Sequence, residues 1–271
     1  MARQGRWYTC LVTEVDRLFT EPVLAELYDP FCVGRADFDF YLPLLAAAGS
    51  VLDVGCGTGE LLRRARAAGH RGRLCGLDPA EAMLAVARRA APELEWHHGD
   101  LDSIDLSSGD LNSGDLEGAR WDGEFELVVM TGHAFQALTG DAQLHAALAA
   151  VRRALAPGGR FVFETRNPAA REWERWTPDV VDEADGVSYW REVEQPVTGD
   201  LVSFSHTFTH PDWPHPETAR STLRFLDPPA LDVFLARAGL SVEARYGDWD
   251  GSPPAAGSPE IITVAKGESD A

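Results

Sequence analysis

The sequence predicts an α/β protein built on a mainly parallel, doubly wound sheet. Three observations support this fold class. Short apolar runs alternate with helical stretches between residues 51 and 164, which is the rhythm of βαβ units. A glycine-rich turn follows the first run, where a strand of such a sheet meets its helix. The chain has 271 residues, 45% of them hydrophobic, so it is long enough to bury its own core.

The predicted elements of the first part follow the chain in order. Helical patterns at 22–28 and 36–48 indicate an N-terminal helical cap over residues 1–50. Strands are predicted at 51–54, 73–77, 94–98, 124–130 and 160–164, and helices at 61–68, 80–90 and 141–155. Pro157, Gly158 and Gly159 close the last of these helices. This stretch, 51–168, forms the first part of the core.

The alternation stops after residue 168. Strand-like segments at 187–195, 201–210 and 219–226 are joined by turns, which predicts an antiparallel substrate lid over 169–226. In the middle segment, apolar residues and histidines alternate with Ser and Thr, so one face of that strand is suited to cover a pocket. A helix at 229–238 and strands at 241–246 and 260–265 then return the chain to the core, as its second part, 227–266.

Residues 102–120 interrupt the core. This segment is polar and glycine-rich and contains Ser-Gly-Asp-Leu twice. Such a composition cannot supply a packed element, so the sequence predicts a flexible loop there, with no catalytic role.

Composition excludes several classes of function. The chain has 24 basic and 43 acidic residues, a net charge of −19, which repels nucleic acid and anionic membranes. It has no apolar run of membrane-spanning length and no signal-peptide pattern, so we expect a cytoplasmic protein. Its four cysteines lack Cys-x-x-Cys spacing and are expected to be reduced thiols. The single lysine, Lys266, excludes a Walker A loop and a Schiff-base site within the fold.

The informative residues lie just after the predicted strands. Ligands of open α/β sheets bind at the carboxyl ends of the strands. The first strand runs into Gly55-Cys56-Gly57-Thr58-Gly59, and the second is followed by Asp78, where an acid can hold ribose hydroxyls. The glycine spacing is G-x-G-x-G and not the G-x-G-x-x-G of dinucleotide enzymes.

Several motifs together resemble the class I S-adenosylmethionine-dependent methyltransferases. They are VLDVGCGTGELL (51–62), GLDPAEAML (76–84), GDL (99–101) and LAPGGRFVFETRNP (155–168). MTGHAFQ (130–136), YGDWDGSP and SPEIITVA are similar to actinobacterial small-molecule methyltransferases. The resemblance spans nearly the whole chain. It implies a Rossmann-like fold with a seven-stranded sheet, an N-terminal helical cap, an antiparallel β insertion and S-adenosyl-L-methionine as the cofactor.

The resemblance also implies which residues bind the cofactor. The three turn glycines would hold the methionine part, Asp53 its amino group through water, Asp78 the ribose, Met83 and Asp100 the adenine, and the backbone near Thr131 the methionine end. The full set implied is Tyr28, Asp53, Gly55, Gly57, Gly59, Asp78, Pro79, Met83, Asp100, Leu101 and Thr131.

Two histidines are candidates for acid–base chemistry. His133 follows the fourth strand, where the methyl group is expected to project, and is either a base or hydrogen-bond partner of the acceptor, or a structural cap of the strand. His206 is a wall of the pocket, a second base or a hydrogen-bonded sheet histidine. No carboxylate or cysteine completes a ligand set with His206, His210 and His215, so we expect no metal.

The acceptor pocket is expected to include aromatic side chains and one cation: Tyr41, Arg166, Trp190, Phe204 and Trp249. Tryptophans near the lid can stack on an aromatic acceptor or cage a cationic amine, or simply hold the lid sheet to the domain. Arg166 has the alternative of pairing with Glu164 or another acid.

The sequence thus predicts a methyltransferase acting on N, O or an electron-rich carbon of a small molecule, such as an aromatic or amine natural-product intermediate. In-line methyl transfer depends mainly on positioning of the nucleophile. The alternatives are a non-catalytic S-adenosylmethionine-binding protein and an NAD-dependent oxidoreductase. We expect a monomer or a homodimer with no nucleic-acid or membrane partner.

Overall fold

The computed structural model describes residues 15–101 and 121–267. The segment predicted as a flexible loop, 102–120, lies outside the described residues, as does Cys10. Among those described, Cys32, Cys56 and Cys75 are free thiols. The N-terminal cap contains the helices α1 (Arg17–Thr20), α2 (Pro22–Phe31) and α3 (Ala36–Ala47).

The core is a seven-stranded sheet in the order β10-β11-β5-β4-β1-β2-β3. Its strands are β1 (Ser50–Val54), β2 (Arg73–Asp78), β3 (Glu95–His98), β4 (Phe125–Met130), β5 (Leu155–Arg166), β10 (Leu240–Tyr246) and β11 (Glu260–Gly267). The first five are parallel, and β11 runs antiparallel to both of its neighbours. The strand order reverses between β1 and β4, which is where an open α/β sheet binds its ligand.

Helices cover both faces of this sheet. They are α4 (Glu60–Ala67), α5 (Glu81–Ala90), α6 (Asp141–Ala154) and α7 (Pro228–Arg237). One apolar cluster joins α6 and α7 to one face, and a second joins α3 and α4 to the other. Asp227 caps α7 by accepting a hydrogen bond from Ala230 N at 2.9 Å, and prolines occupy its first turn. The sheet is therefore buried on both sides, and its strand ends are the accessible edge.

The segment that the sequence predicts as a lid, and which keeps that name, forms a four-stranded antiparallel sheet of β6 (Val181–Ala184), β7 (Val187–Val193), β8 (Leu201–Thr209) and β9 (Glu217–Arg224). Burial alternates along β8, and the buried positions are Val202, Phe204, His206 and Phe208, as the sequence pattern indicates. This inner face packs on α1 and α2 at one end and on Trp176 at the other. The lid therefore lies against the cap at one end and, at the other, against the segment after β5 that contains Trp176.

The structure confirms the predicted fold class and differs in local detail. The sequence pattern misses β6, a short strand of mostly exposed residues that pairs only with β7. The fifth strand begins at Leu155 and not at residue 160, because Leu155 already pairs with Phe125 before a register shift. The helix α6 accordingly ends at Ala154, ahead of the glycines expected to close it. In the described part of the chain, no helix is long and apolar enough to cross a membrane.

Candidate active site

The glycine turn after β1 adopts a backbone conformation that favours glycine. Gly55, Gly57 and Gly59 have φ values of 72°, 56° and 73°, in the left-handed region. The backbone N–H groups of Gly55 and Cys56 donate to Leu77 O, at 2.8 and 3.1 Å. The turn is therefore fixed to the end of β2 by two hydrogen bonds.

Asp78 connects this turn to the helix that follows β2. Its carboxylate accepts hydrogen bonds from Gly57 N and Ala80 N, both at 2.8 Å. The side chain is buried, and burial raises its pKa to about 6, while the two backbone hydrogen bonds oppose the rise. One carboxylate thus orders both loops that line the switch point of the sheet.

The three glycines accommodate different neighbours. A Cβ on Gly59 would lie 2.2 Å from the Trp96 ring, and one on Gly57 would lie 3.1 Å from Met83 Cε. A Cβ on Gly55 would lie 2.8 Å from Ala134 Cβ. The absence of a Cβ at Gly59 therefore leaves room for the Trp96 ring, and its absence at Gly57 leaves room for the Met83 side chain.

Asp53, at the end of β1, is a buried carboxyl with an unsatisfied oxygen. Its Oδ1 atom has no hydrogen-bond partner among the described residues. Burial, reinforced by the charge of Asp78, raises its pKa to about 8. A buried oxygen without a donor is unusual in a folded protein and indicates a place where a ligand donor fits.

The N-terminal cap closes over this edge through α2. Ala25 of α2 forms one apolar cluster with Ala80 and Met83, and Tyr28 packs against it. A Cβ on Gly132, in the turn after β4, would lie 3.5 Å from the Tyr28 hydroxyl and from Arg35 Nη2. Burial raises the pKa of Tyr28, so its phenol stays protonated.

His133 lies in the turn after β4, in a network of buried acids. Its backbone N–H donates to Glu164 Oε1 at 2.8 Å, and its Nε2 lies 3.0 Å from Glu260 Oε2. The Tyr41 hydroxyl donates to the other oxygen of Glu164. Burial lowers the pKa of His133 to about 3 and raises that of Glu260 to about 8, so the pair is neutral near pH 7.

Two arginines contact one tryptophan ring beside this network. The Cζ atoms of Arg166 and Arg191 lie 5.3 and 4.9 Å from the centroid of Trp176. Arg166 Nε is 3.1 Å from Glu172 Oε2, and its Nη1 donates to Gln136 Oε1 at 3.2 Å. Within the described residues, Arg191 has no ion-pair partner.

His206 is held on both sides of its ring. Nδ1 lies 2.8 Å from the Tyr189 hydroxyl, and Nε2 lies 2.8 Å from Ser221 Oγ. Burial, together with the charge of Arg191, lowers its pKa to about 3. The imidazole is therefore neutral and has no ring nitrogen left to contact an acceptor directly.

The other residues expected at the site fall into two groups. Leu101 and Thr131 are buried, whereas Pro79 is half-buried, its carbonyl 3.0 Å from His98 Nε2, and Asp100 is exposed. Phe204 packs on Trp176, and Trp249 contacts Tyr41. Trp190 was expected in the acceptor pocket, but it pairs with Thr207. It therefore lies on the opposite face of the lid from Phe204 and His206.

Sequence reasoning missed several residues of the site. Glu260 is an acid at the start of a mostly apolar strand, and this position is a signal that could have identified it. Arg191 and Tyr189 share the inner face of β7 by their spacing, but the pattern does not say which face is inner. Trp96 has no sequence signal, because its role depends on Gly59 and Gly76 beneath its ring.

Comparisons with known proteins agree with this geometry. A family model described as a methyltransferase domain matches residues 52–161. The dTDP-3-amino-3,6-dideoxy-alpha-D-glucopyranose N,N-dimethyltransferase of Streptomyces fradiae is 32% identical over 267 residues, covering 91% of this chain and 93% of that protein.

Two solved structures share the fold. The CcbJ methyltransferase from Streptomyces caelestis has a TM-score of 0.71 at 20% identity, covering 91% of this chain and 96% of that one. An S-adenosylmethionine-bound amino pentose methyltransferase from Micromonospora echinaspora has a TM-score of 0.61 at 23% identity, covering 90% of this chain and 95% of that one.

The fold is that of an α/β enzyme, with a glycine turn at the switch point of its sheet. The chain belongs to the class I S-adenosylmethionine-dependent methyltransferases. S-adenosylmethionine is its cofactor, and the structure fits this ligand. The glycine turn, the carboxylate of Asp78 at the end of β2 and the unsatisfied Oδ1 of Asp53 match a ligand with ribose hydroxyls and a cationic amino acid end.

Proposed function

We propose that this enzyme methylates the amine of a sugar and that the sugar is linked to a nucleotide diphosphate. The observation that carries the proposal is that the site contains both buried carboxyls and guanidinium groups, in two neighbouring clusters that form its acidic and basic halves. Buried carboxyls gather at the strand ends, and two guanidinium groups gather at Trp176, in a protein of net charge −19. An acceptor with an amine at one end and a diphosphate at the other complements both halves.

The acidic half suits positive charge. Burial raises the pKa of Asp53, Glu164 and Glu260, so these carboxyls are ready to ionise when a cation approaches. Both the sulfonium of the cofactor and the amine of the acceptor are such cations. The basic half suits phosphate, because guanidinium groups hold phosphate oxygens with paired hydrogen bonds.

The names of relatives support the same acceptor. The Streptomyces fradiae relative acts on an amino sugar linked to dTDP. A second relative, from Streptomyces venezuelae, is named for the same class of acceptor and is 30% identical over 149 residues. Oxygen and carbon acceptors lack the positive charge that the acidic half complements.

The cofactor, when bound, supplies a methyl group already activated on sulfur. We propose that Asp78 holds its ribose hydroxyls, that Asp53 receives its ammonium group and that Met83 packs on its adenine. The glycine turn and Thr131 then line the methionine end, and Tyr28 closes it from α2. The protein then has to align the amine with the methyl group and exclude water. Such positioning can lower the activation free energy by about 7 to 11 kcal/mol.

We propose that His133 positions the acceptor and does not remove its proton. A pKa of about 3 makes the imidazole a poor base near pH 7. Its Nε2 faces Glu260, and its backbone N–H faces Glu164, so the residue holds the turn after β4 in place. Tyr41 fixes Glu164 from the cap.

The acceptor assay tests the proposed function. Purified protein with S-adenosylmethionine is offered a dTDP-linked 3-amino sugar, the same sugar without its nucleotide, and a dTDP-linked sugar without the amine. We expect turnover, followed by mass spectrometry, with the first substrate only. Equal turnover of the free sugar would overturn the nucleotide requirement, and methylation of the amine-free sugar would overturn the choice of nitrogen.

Arg191→Ala is expected to raise the acceptor KM roughly 10- to 150-fold, because a hydrogen bond to a charged group contributes about 1.5 to 3 kcal/mol. The affinity for S-adenosylmethionine should not change. The matched control is Arg220→Ala, which removes an exposed guanidinium paired with Glu194 on the outer side of β9. Steady-state kinetics that show the same KM for both variants would exclude Arg191 from the acceptor site.

Binding of the cofactor is expected to release a proton from Asp53 below about pH 8. The free carboxyl is protonated there, and the cationic ligand favours the carboxylate, so affinity should rise with pH, by up to about tenfold per pH unit, and reach its maximum near pH 8. Calorimetry in buffers of different ionisation enthalpy measures the proton release. The amino group of the ligand titrates in the same range, so Asp53→Asn is the control, and an unchanged pH dependence in that variant would contradict the assignment.

A further inference from the structure

We propose that Tyr189, His206, Ser221 and Asp16 form a proton relay that carries the proton of the acceptor ammonium out of the lid. This inference rests on the proposed function, because an ammonium must lose a proton before its nitrogen can attack a methyl group. The neutral pair of His133 and Glu260 leaves that proton without an obvious acceptor near pH 7.

The four side chains form one continuous chain of hydrogen bonds across the inner face of the lid. The Tyr189 hydroxyl lies 2.8 Å from His206 Nδ1, and His206 Nε2 lies 2.8 Å from Ser221 Oγ. Ser221 Oγ in turn hydrogen-bonds to Asp16 Oδ2. Three strands of the lid and the start of α1 supply one member each.

Elementary hydrogen-bond chemistry sets the direction of this chain. An ionised Asp16 carboxylate can only accept, so Ser221 must donate to it, and His206 Nε2 must then donate to Ser221. A neutral imidazole has one donor and one acceptor nitrogen, so Nδ1 accepts the proton of the Tyr189 hydroxyl. The phenol oxygen is left with lone pairs for an N–H donor, and the acceptor ammonium is such a donor.

The titration behaviour of the members suits a relay. Burial lowers the pKa of His206 to about 3, so its ring stays neutral and can pass a proton without storing it. Burial raises the pKa of Asp16 to about 6, and the backbone N–H of Leu18 opposes the rise. Asp16 is half-buried, so a proton that reaches it can leave to solvent.

Tyr189 lies where the lid meets the cap helices, against the apolar cluster that contains Leu24 and Phe208, and the proposal places the acceptor amine at its hydroxyl. Its ring stacks on His206 and lies 5.4 Å from Phe31 of α2, the helix that carries Tyr28. Arg191, two residues along the same face, contacts Trp176. The charged and titratable groups that face the chain are Arg191, Arg166, Cys32 and Asp182 at the Tyr189 end and the Arg17 to Glu217 ion pair beside Asp16.

The relay moves one proton from the acceptor to Asp16 in four coupled transfers. One N–H bond of the ammonium breaks and an O–H bond forms at Tyr189, whose own proton moves to His206 Nδ1. The Nε2 proton moves to Ser221 Oγ, and the Ser221 proton moves to the Asp16 carboxylate. The net change is one proton moved from the acceptor to Asp16, and the neutral amine keeps the electron pair that attacks the methyl group. Tyr189 is the member that contacts the acceptor, and the other three position it and move the proton.

The kinetic test uses the full chain with the dTDP-linked amino sugar over pH 6 to 10. Tyr189→Phe and Asp16→Asn should each lower kcat about 10- to 100-fold at pH 7, without a change in cofactor affinity, because positioned proton transfer accelerates reactions by that order or more. The deficit should shrink as pH rises and the amine deprotonates in solution. Asn retains the cap of α1 at position 16, so that variant keeps its fold.

Matched serine variants distinguish the loss of proton transfer from a change in packing. Ser221→Ala should reproduce the pH-dependent loss and Ser221→Thr should restore much of the rate, because threonine keeps the hydroxyl. Ser203→Ala removes a hydroxyl paired with Thr222 on the outer face of the same two strands and should leave kcat unchanged. A loss that is equal at every pH, or wild-type rates for Tyr189→Phe and Asp16→Asn, would overturn the relay.

Nitrogen NMR of His206 tests the relay independently of the proposed function. The relay requires the Nε2–H tautomer in the wild-type protein at pH 7, whatever the acceptor. Observation of the Nδ1–H tautomer or of an imidazolium would overturn the relay, even if the amino sugar is methylated. Absence of turnover on every amino sugar, with the Nε2–H tautomer present, would instead overturn the proposed function and with it the role of the chain in methyl transfer.

Discussion

Asp78→Ala is expected to weaken S-adenosylmethionine binding by about 2 to 3 kcal/mol, roughly 30- to 150-fold in Kd. The carboxylate accepts hydrogen bonds from Gly57 N and Ala80 N, so its loss removes the ribose contact and loosens two loops together. Titration calorimetry at pH 7.5 measures the change. At that pH most of the wild-type carboxyl is ionised, because its pKa is about 6.

Asp227→Ala is the matched control for this variant. Asp227 also accepts a hydrogen bond from a backbone N–H, at the start of α7, but it lies away from the glycine turn. Its removal is expected to lower stability by about 1 kcal/mol and to leave cofactor affinity unchanged. Equal affinities for the Asp78 variant and this control would show that the ribose is held elsewhere.

Gly59→Ala is expected to lower the free energy of unfolding by about 2 to 5 kcal/mol. The residue has a φ of 73°, which costs a non-glycine residue about 1 to 2 kcal/mol. Its new Cβ would also overlap the Trp96 ring, at 2.2 Å, and overpacking typically adds about 1 to 3 kcal/mol. The ring has little room to move, because its Nε1 donates to Ala91 O at 2.8 Å and Gly76 lies beneath it.

Urea unfolding of a matched set separates the two contributions. Gly69→Ala lies just past the other end of α4, with a φ of 98° and no atom within 4 Å of the added Cβ, so it reports backbone strain alone. Trp96→Leu removes the far end of the ring, and in that background Gly59→Ala should cost about as little as Gly69→Ala. Equal losses for Gly59→Ala and Gly69→Ala in the wild-type background would show that Trp96 yields without cost.

The site residues that the sequence predicts are close together along the chain or recur with a fixed period. Asp53, the three glycines and Asp78 follow two neighbouring strands, so a parallel sheet brings them to one edge without further information. Alternation along β8 likewise indicates the buried face of the lid.

Contacts between distant segments could not be predicted from the sequence. Tyr41 meets Glu164 across 123 residues, His133 meets Glu260 across 127, and Ser221 meets Asp16 across 205. No local pattern predicts that these positions are in contact, because each contact depends on how the cap, the lid and the antiparallel strand β11 pack on the core.

The sequence by itself determined the α/β fold, the order of its elements and the cofactor turn, since strand and helix periodicity and glycine spacing act over a few residues. Only the tertiary structure decided that His133 and His206 are neutral, that Trp190 lies on the outer face of the lid and that Arg191 joins Arg166 at Trp176. The physical reason is that protonation and pairing depend on burial and on neighbours from remote segments, which periodicity does not encode.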